Sequence, residues 1–160
     1  MLRIRRIDAG RDTWQTANIT RTNFKPASSL RMGELRQMST QDIAQKLCEH
    51  CRNHTEAEAL DELYAENAVS VEPMAPEGQS PIREGRDAIK AKHDWWAANF
   101  EVHDFELEGP FVNGDKFSVI FGIDATDKSS GQRWKAKEVA LYEVEGGKIA
   151  RESFFMAPMG

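Results

Sequence analysis

Residues 48–54 read CEHCRNH, two cysteines and two histidines within seven positions. Thiolates and imidazoles so close together raise metal binding, haem attachment and thiol redox chemistry at once. A structural zinc site takes four ligands, usually as two short pairs far apart in the chain, and here there is one Cys pair. Haem attachment needs His directly after the second Cys, where this chain has Arg52. A redox CxxC opens a helix, whose positive end depresses the thiol pKa. Cys48 and Cys51 fall well inside a helix instead. At about 100° per residue they share an apolar face with Ile43, Ala44 and Leu47. The spacing therefore predicts a helix that buries two thiols as small hydrophobes, with no metal site.

Other residues are candidates for acid–base chemistry. Glu72 closes the apolar stretch AVSV, just before Pro73. The proline restricts Glu72 to extended conformations and so helps fix its direction. A carboxyl facing an apolar pocket has a raised pKa and can shuttle protons near neutrality. His93 shares a helix face with Ile89, Trp96, Ala97 and Phe100. It is either a core histidine with a satisfied hydrogen bond or a proton partner in a pocket. His103 opens the alternating run with Phe105 and Leu107 and stands under the same pair of readings. Glu138 lies on one strand side with Ala140, Tyr142 and Val144. It enters a pocket if that side is concave and is a surface charge if it is not. Trp96 and Phe100 sit at helical spacing and serve as core or as pocket wall; with Glu138, and with Tyr64 from the apolar stripe of the preceding helix, they are the candidate substrate contacts. The catalytic candidates are Glu72, His93 and His103.

The elements that must position these groups are legible from periodicity. Ser39-Thr40 with Asp42 in the first turn starts a helix over about 40–53. Thr55 caps a second helix, with apolar Ala59, Leu60, Leu63 and Tyr64, that stops near Asn67. Residues 68–73 read as a short strand, and 74–85, with two Pro and two Gly, as a loop. A third helix runs from Arg86 to about Asn99. From residue 102 the period changes to two. Turns at VNGD, DKSSGQ and EGG then divide an antiparallel meander of four strands that ends at Met156. Helices first and strands after define an α+β class.

Charge and composition exclude several function classes. Residues 1–37 carry eight Lys/Arg and three Asp/Glu, whereas the rest of the chain carries 13 and 23. An acidic body argues against nucleic acid as a partner, since phosphate contacts need Lys/Arg. No run approaches the roughly 18 apolar residues of a membrane span. Residues 1–38 are expected to form a basic, disordered extension and 39–157 the domain. Two cysteines three residues apart make no disulfide framework, which fits a reducing, cytoplasmic setting. Strands 117–124 and 139–144 are apolar on both sides, at Ile120, Val139 and Leu141 among others. Helices cover one sheet face only, so the other predicts a homodimer.

Three stretches resemble one family pattern: LYAENAVSVEP (63–73), GRDAI (85–89) and ALYEVEGGKIARESFF (140–155). Together they resemble SnoaL-like domains of the NTF2-like superfamily, relatives of polyketide cyclases and ketosteroid isomerases. The resemblance implies a curved antiparallel sheet wrapped around helices as a cone, an apolar pocket at the open end, and dimers formed through the outer sheet face. It places Glu72 where the isomerases keep their general base. It places Cys48 at their oxyanion tyrosine and Val139 or Ala140 at their protonated aspartate, so neither donor is kept. Three readings follow: a cofactor-free isomerase, cyclase or dehydratase acting on a small apolar molecule, a non-catalytic binding domain, or a dimeric interaction module.

Overall fold

A computed structural model of the chain describes residues 37–75 and 77–156. The basic extension expected over residues 1–38 lies almost entirely outside the described residues. The first helix, α1 (Thr40–Asn53), begins with a capping box. Ser39 Oγ accepts from the Asp42 amide at 3.2 Å while the Asp42 carboxylate accepts from the Ser39 amide at 3.2 Å. The helix ends at His54, whose φ of 56° is left-handed. It buries the face read from the sequence: Ile43, Ala44, Leu47, Cys48 and Cys51.

The second helix, α2 (Glu56–Leu63), is one turn shorter than its periodicity suggested. Tyr64 already belongs to β1 (Tyr64–Val71), where it lies opposite Ile149. Pairing with a strand distant in sequence ends the helix before its local pattern does. A short strand, β2 (Ile82–Glu84), emerges from the presumed loop by pairing with Val69–Val71. Then follow α3 (Arg86–Asn99), β3 (Phe100–Asn113), β4 (Lys116–Asp127), β5 (Arg133–Glu145) and β6 (Lys148–Met156).

The six strands form one sheet in the order β2-β1-β6-β5-β4-β3. The last four make the expected antiparallel meander. β1 joins β6 in parallel, a pairing that no local pattern encodes. The sheet is curved and unclosed, and the three helices make this an NTF2-like α+β cone. The core gathers the α1 face, Leu60 and Leu63 of α2, Ile89 of α3, and Phe117, Val119, Ala140, Tyr142 and Ile149 from the sheet. No helix among the described residues is long and apolar enough to cross a membrane.

Candidate functional site

A cavity of about 1070 Å³ opens between α3 and the concave face of the sheet. Strand alternation decides what reaches it. On β5, Trp134, Ala136, Glu138 and Tyr142 line the cavity, so the side carrying Glu138 is the concave one. On β4 the wall residues are Phe121 and Ile123, and on β6 they are Glu152, Phe154 and Met156. Trp96 stacks on Phe100 with ring centroids 4.2 Å apart, and Trp134 meets both edge-on at 5.9 Å. This wall gives an apolar ligand broad contact area.

The polar groups cluster around Lys92. Its ammonium donates to Ser70 Oγ at 2.7 Å, Glu72 Oε1 at 2.6 Å and Glu152 Oε1 at 3.0 Å. It also lies 4.5 Å from the centre of the Phe154 ring. All three ammonium hydrogens are thus engaged. Burial pulls the Lys92 pKa down, but Glu152 and Glu72 outweigh it and leave the value raised. Glu152 is 1% exposed. It accepts a 2.6 Å hydrogen bond from the Tyr64 hydroxyl. Burial pushes its pKa up, yet Lys92 and the Tyr64 hydrogen bond bring it below the ordinary glutamate value. The cluster is therefore a fixed ion network, with Lys92 neither free to act as a nucleophile nor neutral.

Glu138 differs from its neighbours. Across the sheet it faces Phe121 on one side and Met156 on the other, and Ala136 and Ala140 flank it along the strand. Among the described residues it has no hydrogen-bond or ion-pair partner. Burial, with the nearby Glu72 charge, raises its pKa to about 7. Close to neutrality it is therefore both acid and base. His93 lines the same cavity, and its Nδ1 is buried without a hydrogen-bond partner. Burial, then the Lys92 charge, lowers its pKa, so the ring is neutral at pH 7.

Six of the seven candidate residues meet in this cavity: Glu72, His93, Tyr64, Trp96, Phe100 and Glu138. His103 does not. β3 has a register irregularity between Val102 and Asp104, which shifts the alternation by one residue. His103 is thrown out of phase with Phe105 and bonds the Thr126 hydroxyl at 2.8 Å on the outer face. Glu72 reaches the cavity as an ion-pair partner of Lys92 rather than as a lone carboxyl in an apolar wall.

Lys92 and Glu152 escaped notice in the sequence, though both left a signal. Residues 89, 92, 93 and 96 are one i, i+3, i+4, i+7 face, and Glu152 alternates with Phe154 and Met156. The four side chains of CEHCRNH do not converge. Cys48 and Cys51 are buried, and burial pushes the Cys51 thiol up to about 12. His50 pairs with Thr55 and Glu62, and the His54 ring faces Phe105 at 6.3 Å. Among the described residues no three His, Cys, Asp or Glu side chains are grouped as a metal site requires.

A curved sheet holding three helices, with a cavity of this size at its concave face, defines an NTF2-like pocket protein. The sequence profile of the SnoaL-like domain matches residues 38–156, and the chain belongs to that family. A protein from Mesorhizobium loti, named a candidate SnoaL-like polyketide cyclase with carbohydrate phosphatase in brackets, is 38% identical. Its match has a TM-score of 0.69 and covers 74% of this chain and 99% of that one. A candidate isomerase from Bacillus subtilis shares the fold at 20% identity and a TM-score of 0.63, over 76% of this chain and 91% of that one. An NTF2-like protein from Burkholderia pseudomallei does so at 18% and 0.60, over 75% and 92%. No curated protein matches the chain significantly.

Proposed function

We propose that the cavity binds a small, largely apolar molecule and that Glu138 carries a proton to or from one of its carbon atoms, without a cofactor. The observation that carries this reading is a carboxyl with no partner among the described residues, set among Phe121, Ala136, Ala140 and Met156, with a pKa near 7. A group balanced between its two protonation states at working pH is the best placed for general acid–base catalysis. The isomerase base position, Glu72, is held by Lys92 at 2.6 Å. The reading therefore moves the proton-carrying role to Glu138 and leaves Glu72 to position Lys92. Neutral His93 is the second proton group of the cavity. The 38% identical relative named for polyketide cyclisation supports this reading, because ring closure between carbon atoms begins by taking a proton from carbon.

The outer sheet face supports a homodimer in the same reading, and two free, buried cysteines fit a cytoplasmic protein.

The test is a panel of apolar ketones and β-keto esters incubated with the protein in D₂O, with deuterium uptake followed by mass spectrometry. The wild type is expected to catalyse exchange. Glu138→Gln should slow it by about 10²–10⁴-fold, and His103→Ala should leave it unchanged. Full exchange in Glu138→Gln would remove Glu138 from the mechanism. A panel that binds but shows no exchange would favour the binding-domain reading.

A further inference from the structure

The cavity wall is unbalanced in charge. Among the described residues, four carboxyl side chains line it, Glu56, Glu72, Glu138 and Glu152, against two cations, Arg83 and Lys92. Neither cation is available to Glu138. Lys92 spends its three hydrogens on Ser70, Glu72 and Glu152. Arg83 is tied to the β2 approach, donating to the carbonyls of Ser80 and Ile82 and to the Gln79 side chain. The ionisable groups around Glu138 are Lys92 and His93 on α3, Glu72 just past the end of β1, Glu152 on β6 and, beyond Ala140 on the same side of β5, Tyr142. His93 is neutral, and Lys92 offsets only one of the two neighbouring carboxylates. A carboxyl left unpaired in an apolar patch is costly. The Nδ1 atom of His93 is the one buried side-chain polar atom without a partner among the described residues. It lines the same space as the half-buried Glu138 carboxyl, which has no protein partner there.

We infer that the natural ligand of the cavity is an amine: an apolar body lying against Trp96, Phe100 and Trp134, with an ammonium that pairs with the Glu138 carboxylate. The aromatic faces suit this ligand twice over, since they give apolar contact to the body and attract the cation. The inference rests on the proton-transfer reading only in sharing its cavity. An ammonium there holds Glu138 as a carboxylate and lowers its basicity, as Lys92 does for Glu72, so an amine and a carbon acid compete for this carboxyl. The step is balanced: the protonated carboxyl and the ammonium give an ion pair, and one proton passes to the buffer. Burial keeps part of the Glu138 population protonated at pH 7, so binding there releases a fraction of a proton per site.

Two matched probes test this: 4-phenylbutylamine and its neutral counterpart 4-phenylbutan-1-ol. Binding is read by tryptophan fluorescence and by titration calorimetry at pH 7 in buffers of different ionisation enthalpy. The amine is expected to bind about 10-fold or more tightly than the alcohol, with proton release that the alcohol lacks. Glu138→Gln should erase the preference and the proton release while leaving the alcohol affinity intact, which also shows that the variant is folded. An alcohol that binds as well as the amine overturns the inference, as does an amine whose affinity survives in Glu138→Gln, or one that fails to bind at millimolar concentration. Each of these outcomes can occur with Glu138-dependent deuterium exchange unchanged, so failure here is distinguishable from failure of the proton-transfer reading.

Discussion

Lys92 reaches from α3 to place its ammonium 3.0 Å from a carboxylate oxygen of Glu152, which is 1% exposed in the middle of β6. The pair bolts the helix to the sheet at the floor of the cavity. It is buried, so its energetics follow the rule for buried ions. The intact network adds little net stability, and removing one member strands the other.

Lys92→Met should therefore destabilise the protein by about 3–5 kcal/mol, because Glu152 keeps only neutral partners, the Tyr64 and Ser70 hydroxyls. Lys92→Met combined with Glu152→Gln should cost less than the two single changes added together, since the second removes the stranded charge. Urea denaturation at pH 7 measures both. Additive costs would show that the two side chains are not coupled.

Glu138 makes the protein less stable as the pH rises. Its folded value, about 7, lies above the 4.5 of an exposed glutamate. Between those values the folded protein holds a proton that the unfolded chain has released. Stability therefore falls from about pH 4.5 to about pH 7 and is level above, a loss on the order of 3 kcal/mol from this group. Glu138→Gln removes that loss. Its melting temperature should exceed that of the wild type at pH 8, and the gain should vanish near pH 4. A gain of equal size at both pH values would contradict a raised Glu138 pKa.

The outer sheet face carries a row of apolar side chains, with Ile120 beside Val139 and Val139 beside Phe155 across β4, β5 and β6. Phe155 is 54% exposed and Val139 39%. An apolar row of this kind on an open sheet is expected to be covered by a second copy. Sedimentation at micromolar concentration should give a dimer for the wild type and a monomer for Phe155→Glu. A monomeric wild type would remove the claim.

By itself the sequence determined the elements and most of their faces. The Ser39–Asp42 box, the 43/44/47/48/51 stripe and the turns at 113–115 and 145–147 are local devices. Local devices act wherever the chain puts them, so α1, α3 and the meander are legible from residue types alone. The position of Glu72 before Pro73 and the helical spacing of His93 and Trp96 likewise pointed to the cavity.

Three things were decided only by tertiary structure. The irregularity between Val102 and Asp104 turned His103 to the outer face, because one extra residue inverts every later side chain, and its position depends on the register with β4. The direction of sheet curvature made the Glu138 side concave. The parallel pairing of β1 with β6 set Ser70 opposite Glu152, with α3 close enough for Lys92 to join Ser70, Glu72 and Glu152. Those four residues are as many as 82 positions apart in the chain. No local pattern can bring them together or say which of the carboxyl groups is left without a cation.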